Sequence, residues 1–169
     1  CAVGGGLTMP LGVVDRKAPE IVAKFPASSY GPYYLSPNSD GHNDSLEIPV
    51  KISDKRYLVS YAMTIYKGSP SDGKAVRVIA NKESRPENQG FKGLWSRLVY
   101  VKKGVPVPEK LVWDGRFDSG EVAPDGEYSV EIAATDDNGN RGVVGPFPVV
   151  VDNTPPQLEL AAADASLIF

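Results

Sequence analysis

The sequence predicts an all-β protein built as an antiparallel β-sandwich, and three observations support this fold class. Segments in which apolar and polar residues alternate recur along the chain, and a period of two places one face of a strand inward. Turn-forming clusters separate these segments, and 17 glycines and 15 prolines among 169 residues supply much of them. A hydrophobic fraction of 41% is enough for a core. About seven short strands between turns are typical of a sandwich.

Alternation predicts strands at residues 46–53, 59–66 and 128–134, and the segments 75–80 and 142–151, which follow turn clusters, are predicted as strands too. Pro49 has no amide hydrogen to donate, so we expect the first of these strands to lie at a sheet edge or to carry a bulge. The inward faces define a predicted core. Its members are Ile48, Val50, Tyr61, Met63, Ile65, Trp113, Tyr128, Val130 and Ile132.

An internal repeat predicts the domain organisation. Residues 13–21 (VVDRKAPEI) resemble residues 150–158 (VVDNTPPQL) at an offset of 137 residues, which is the size of a whole domain. Residues 13–151 are therefore predicted to form one sandwich domain, with an inserted loop region at about 81–110. Residues 152–169 are expected to be the first strand of a second, incomplete repeat, with a hinge at the junction.

The N-terminal residues predict an attachment to a membrane. Cys1 is the only cysteine, so no internal disulfide can form. Small residues and three glycines follow it, which resembles the start of a mature bacterial lipoprotein whose terminal cysteine carries lipid. Such a lipid on Cys1 would anchor the domain through residues 1–12, a flexible tether. An arbitrary boundary or a tag scar is the alternative interpretation.

Charge and residue counts exclude several classes of function. Eighteen basic against 21 acidic residues give a net charge of −3, too balanced for a nucleic-acid surface or a polybasic membrane surface. His42 is the only histidine, no serine stands in a G-x-S-x-G elbow, and no phosphate-binding loop is present. We therefore expect a protein that is not an enzyme and needs no cofactor, calcium excepted.

One loop has the spacing of calcium ligands. Counting Ser36 as the first position of a twelve-residue calcium loop places oxygen-bearing side chains at positions 3, 5, 9 and 12. These candidate ligands are Asn38, Asp40, Asp44 and Glu47. Serine in place of aspartate at position 1, Pro37 at position 2 and strand-like flanks favour the alternative, a turn that caps its own backbone.

Motifs at four places resemble one protein family. Residues 34–44 (YLSPNSDGHND) resemble the F-S-P-N-G-D-G-x-N-D opening of extracytoplasmic bacterial immunoglobulin-like modules. Residues 113–128 carry W-D-G and then P-x-G-x-Y, and D-x-x-G follows at 136–139. The same signature is found in the immunoglobulin-like domain of flagellar hook-assembly proteins and in gliding-motility-associated C-terminal domains. V-D-N-T-P-P at 151–156 is typical of junctions between such modules in tandem.

The resemblance implies an immunoglobulin-like or fibronectin III-like sandwich and gives several motif residues a structural role. Trp113 should bury its ring in the core, and Asp125-Gly126 should form a tight turn before a strand. Tyr128 should pack its ring and donate its hydroxyl to a nearby backbone group, as tyrosine corners do.

Three functions are compatible with these patterns. The first is a non-catalytic spacer and interaction module of a lipid-anchored bacterial envelope protein, periplasmic or surface-exposed. Its partners would be other envelope proteins or further domains of the same chain. The second is a surface adhesin or ligand-binding module that uses the 81–110 loop region. The third is a calcium-dependent assembly or secretion-associated domain.

Overall fold

The computed structural model describes residues 16–26, 31–55, 57–71, 73–82 and 104–154, and in these ranges it contains eight β-strands and no helix. The strands are β1 (Glu20–Ala23), β2 (Tyr33–Leu35), β3 (Leu46–Ser53), β4 (Leu58–Lys67), β5 (Ala75–Lys82), β6 (Lys110–Trp113), β7 (Gly126–Asp136) and β8 (Arg141–Val151). The five longer strands predicted from the sequence are confirmed as β3, β4, β5, β7 and β8.

The strands form two sheets that enclose one core, which confirms the predicted sandwich. The smaller sheet has the order β1-β3-β6, and the larger has the order β2-β8-β7-β4-β5. Neighbouring strands are antiparallel except β2 and β8, which pair in parallel through Tyr33–Leu35 and Val149–Val151. Two such sheets make an immunoglobulin-like or fibronectin III-like β-sandwich.

The position of Pro49 differs from the prediction. β3 is the central strand of its sheet and pairs with both neighbours without a register shift, so the expected edge or bulge is wrong. The Pro49 carbonyl accepts a hydrogen bond from the Lys24 amide at 2.9 Å, just beyond the last β1–β3 pair, Ala23 and Val50. A strand residue points its nitrogen and its carbonyl to the same side. The missing donor of Pro49 therefore faces the place where β1 ends.

The predicted core is confirmed in full. All nine predicted residues are buried in a single cluster. Leucine and valine side chains and two alanines complete that cluster: Leu35, Leu46, Leu58, Val105, Leu111, Ala123, Ala134, Val149 and Val151. The core therefore extends beyond the long strands into β2, β6 and the loop before β7.

Described strands border the predicted loop region at about 81–110 on both sides. β5 continues through Lys82, and Lys110 begins β6. Val105 is buried in the core and donates its amide to the Leu58 carbonyl at 2.9 Å. Residues 83–103 lie outside the described residues, as do 1–15 and 155–169, so the tether and the second repeat stay predictions.

The described chain begins and ends at opposite ends of the sandwich. The backbone of Pro19 passes so close to Gly142, near the start of β8, that a Cβ there would overlap the Pro19 carbonyl oxygen. β8 then runs to Val151, where the chain leaves. Nine residue steps of about 3.3 Å each separate Gly142 from Val151, or roughly 30 Å along the strand. We call the end where β8 finishes the exit end.

Candidate functional site

The sequence motifs assemble at the exit end. Residues 36–45 connect β2 to β3, residues 114–125 connect β6 to β7, and residues 152–154 follow β8. Pairing registers bring these segments together, because β2, β6 and β8 all finish at this end while β3 and β7 begin there. The exit end is therefore the candidate site.

Three of the four predicted calcium ligands lie together in the 36–45 loop. Asn38 Oδ1 accepts the Asp40 amide at 2.9 Å, and Asp40 Oδ1 accepts the His42 amide at 2.8 Å. Asp44 accepts the amides of Ser39 and Gly41 at 2.6 and 2.7 Å. The hydrogen bond from the His42 amide, followed by that from the Asn38 side chain, lowers the pKa of Asp40. These contacts are those of a turn that caps its own backbone.

The fourth predicted ligand is engaged elsewhere. Glu47 lies on β3, and both of its carboxylate oxygens accept the Lys110 ammonium of β6 at 2.8 Å. In the part of the chain that the structure describes, no three His, Cys, Asp or Glu side chains are grouped as a metal site requires. Calcium binding at this loop stays the alternative to that turn, and Cys1 lies outside the described residues.

The first two sequence motifs form a single packing unit. Gly115, the glycine of W-D-G, has a φ of +69°, which favours glycine. A Cβ at this position would lie 2.6 Å from Pro37 Cβ and 2.7 Å from Pro37 Cγ. Pro37 belongs to the S-P-N motif of the neighbouring loop. The S-P-N loop therefore rests on the W-D-G turn because Gly115 has no side chain.

The aromatic residues of the signature link this end to the core. Trp113 is 0% exposed, and its indole Nε1 donates to the Arg116 carbonyl at 2.9 Å. The Tyr128 ring lies 5.7 Å from the Trp113 ring. The Tyr128 hydroxyl donates to the Pro124 carbonyl at 2.9 Å, which confirms the predicted tyrosine corner. Burial, with a smaller contribution from the charge of Asp125, raises the pKa of Tyr128.

Asp125 binds the residues that follow β8. Its Oδ1 accepts the Asn153 amide at 2.7 Å and the Asn153 Nδ2 at 3.0 Å, and its Oδ2 accepts the Thr154 hydroxyl at 2.7 Å. Asn153 Nδ2 also donates to the Ala123 carbonyl at 3.0 Å. The hydrogen bond from the Asn153 amide, followed by that from the Thr154 hydroxyl, lowers the pKa of Asp125.

Sequence reasoning missed this contact. It assigned Asp125 to a tight turn and residues 151–156 to a hinge, but residues 151–154 are held against the domain. Val151 ends β8, and the Asp152 amide donates to the Leu35 carbonyl at 3.0 Å. Both motifs are visible in the sequence, yet nothing in their local pattern shows that positions 28 residues apart touch. The contact depends on β7 and β8 being paired in this register.

Comparisons with known proteins give structural similarities at low sequence identity. Neither the family models nor the curated proteins give a match. Among solved structures, the chain is similar to dimeric latent PorU from Porphyromonas gingivalis, with 14% identity and a TM-score of 0.44. It is also similar to fibronectin(III)-like modules of CbhA from Clostridium thermocellum, with 11% identity and a TM-score of 0.38. In each case 78% of this chain is covered, with 9% of the PorU chain and 46% of the CbhA chain.

The described ranges contain no helical segment with the length and hydropathy needed to cross a bilayer.

At the exit end, the carboxylates of Asp40, Asp44 and Asp125 each accept hydrogen bonds from backbone amides. Ionised carboxylates used in this way hold loops in place, since charge-assisted hydrogen bonds are stronger than neutral ones. Asp40 and Asp44 thus stabilise the 36–45 loop, and Asp125 stabilises the residues that follow β8.

Proposed function

We propose that this chain is a non-catalytic spacer and interaction module of a bacterial cell-envelope lipoprotein. The observation that carries this proposal is the placement of the two chain ends. The chain passes from residue 16 at one end of the sandwich to residue 154 at the other, along roughly 30 Å of strand. A folded module threaded in this way sets a minimum separation between whatever precedes it and whatever follows it.

The rigidity of the module supports the same function. A flexible linker also separates its ends, but its end-to-end distance fluctuates widely. Here β7 and β8, eleven residues each, pair along nearly their whole length, and β4 pairs with β7 beside them. A sandwich with a single buried core holds its two ends at one distance.

The proposal includes a location and a partner class. Lipid on Cys1 would attach the chain to a membrane, and residues 1–12 would join that anchor to the sandwich. The resemblance to immunoglobulin-like modules of hook-assembly and gliding-motility proteins supports an extracytoplasmic setting. The partners would be other envelope proteins or further domains of the same chain.

A replacement experiment tests the spacer function. In the full reading frame, residues 16–154 are either deleted or exchanged for an unrelated sandwich whose ends are equally far apart. The readouts are detergent sensitivity of the cells and the envelope proteins that co-purify with a tag. A spacer predicts that deletion raises sensitivity and that the unrelated sandwich restores resistance. If the module binds a specific partner, the unrelated sandwich should not restore resistance and the partner should no longer co-purify. If both variants behave as wild type, both functions are contradicted.

The anchor has its own test. Cys1→Ser in the full reading frame should abolish metabolic labelling with a fatty-acid analogue and release the protein from the membrane fraction. Labelling and membrane association that survive Cys1→Ser would show that Cys1 carries no anchor.

A further inference from the structure

We propose that Asp125 and residues 152–154 form a rigid joint that fixes the direction in which the chain leaves the sandwich. This inference rests on the proposed spacer function and specifies how such a module would control orientation as well as distance. The joint is defined here as Asp125, Asp152, Asn153 and Thr154.

Both carboxylate oxygens of Asp125 hold the leaving chain at once. Oδ1 receives the amide and the side-chain nitrogen of Asn153, and Oδ2 receives the Thr154 hydroxyl. The donors belong to two successive residues and include one backbone group. Any rotation of the chain at Asn153 therefore breaks more than one charge-assisted hydrogen bond.

Asp125 is itself held by its neighbours in the chain. Pro124, the preceding residue, accepts the hydroxyl of buried Tyr128 at 2.9 Å. Gly126, the following residue, begins β7 and pairs with Val151 at the end of β8. The core and the sheet therefore position the Asp125 carboxylate that binds residues 153 and 154.

Further contacts remove the freedom of the residues on either side of Asn153. The Asp152 amide donates to the Leu35 carbonyl at 3.0 Å, which continues the β2–β8 pairing by one residue. The Thr154 amide donates to Asp152 Oδ1 at 3.0 Å. Thr154 also precedes a proline, which disfavours helical backbone at that position and favours extended backbone. Each residue from 151 to 154 is therefore held by a hydrogen bond or by strand pairing with the domain.

Nuclear magnetic resonance relaxation of the intact 169-residue chain tests the joint. The backbone order parameters of Asn153 and Thr154 should equal those of β8, about 0.85, and should fall below about 0.6 in Asp125→Ala. Val149 and Val151 should keep their values in the variant. The loss should be confined to the joint because the strand pairing does not depend on this carboxylate.

Asp114→Ala is the matched control. Asp114 is an exposed carboxylate of the same end, and it accepts the amide of Arg116, two residues further on in its own turn, at 3.2 Å. This variant should leave Asn153 and Thr154 ordered. Thr154→Val, which removes only the hydroxyl, should give an intermediate order parameter at Thr154 and tests the joint from the other side.

Two results would overturn the inference. One is an order parameter at Asn153 and Thr154 that is already low in the wild type. The other is an unchanged order parameter in both Asp125→Ala and Thr154→Val. Either result leaves the spacer function standing, since a spacer can have a flexible exit. A rigid joint in a chain that fails the replacement experiment would refute the spacer function alone.

Discussion

Replacing Gly115 with alanine should destabilise the sandwich by more than the backbone angle alone requires. A left-handed φ costs a non-glycine residue about 1–2 kcal/mol. At Gly115 the new methyl would also lie 2.6 Å from Pro37 Cβ, closer than real Cβ atoms approach, so the S-P-N loop must shift. Overpacking of this kind adds about 1–3 kcal/mol, which makes the expected total about 2–5 kcal/mol.

Gly120→Ala is the matched control for this prediction. Gly120 has a similar φ of +87°, but a Cβ there would meet nothing within 4 Å. Its substitution should therefore cost only the backbone contribution of about 1–2 kcal/mol. The difference between the two variants isolates the contact with Pro37. The free energy of unfolding is measured by urea denaturation followed by circular dichroism.

A double-mutant cycle identifies the contact itself. Pro37→Gly removes both carbon atoms that approach Gly115, so the added cost of Gly115→Ala should disappear in that background. The expected coupling energy is about 1–3 kcal/mol, in the range measured for residues in contact. The packing of Gly115 against Pro37 would be refuted if Gly115→Ala lowered the free energy of unfolding no more than Gly120→Ala does. A coupling energy of zero would refute it as well.

Three further predictions concern the core, one buried carboxylate and the 36–45 loop. Trp113→Ala should lower the free energy of unfolding, measured by urea denaturation, by about 3–5 kcal/mol, as large core cavities do. Tyr34→Ala, at a side chain 60% exposed, should change it by about 0.5 kcal/mol or less. Equal effects would contradict the strand register that buries Trp113. Burial alone would raise the pKa of Asp136. Hydrogen bonds from Asn140 and from the Asn138 and Gly139 amides outweigh burial, so the pKa is lowered. The ionised Asp136 carboxylate therefore stabilises the folded state fully above its unfolded pKa of about 3.9. This stabilisation is lost as the pH falls through the lower pKa of the folded state. Asp136→Asn should cost about 1–3 kcal/mol at pH 7 and flatten the acid limb of stability against pH, and an unchanged acid limb would contradict the role of this carboxylate. Finally, neither calcium nor a chelator should shift the melting temperature, because the loop carboxylates are already bound by amides; a rise with calcium that disappears in Asp40→Ala would establish the alternative, a calcium site.

The predictable parts of the fold are those in which local pattern and tertiary environment agree. Long strands with one buried face, such as β3 and β4, show alternation in the sequence, so their predicted inward side chains are confirmed as buried. β2 has only three residues, too few for alternation to be visible, and its parallel pairing with β8 is a long-range choice. Pro49 was misplaced because its missing donor matters only on the side where β1 ends, which no local pattern reveals.

The candidate site was predicted as separate motifs and not as an assembly. The tyrosine corner of Tyr128 was predictable because its acceptor, Pro124, lies four residues away. The contacts of Gly115 with Pro37 and of Asp125 with Asn153 join segments that are distant in the sequence. Pairing of the strands brings them together, and the register that does so is a property of the whole sheet.

The parallel pairing of β2 with β8 has a mechanical consequence. β8 lies between β2 and β7, and the chain continues from its end out of the sandwich. The hydrogen bonds between antiparallel β7 and β8 run perpendicular to the strands, and those between parallel β2 and β8 cross the strands at a slant. A force that draws residue 154 away from residue 16 therefore acts along β8 and shears its bonds to both neighbours together. The strand cannot peel away one bond at a time, so the sandwich resists a force applied along β8 at the exit end.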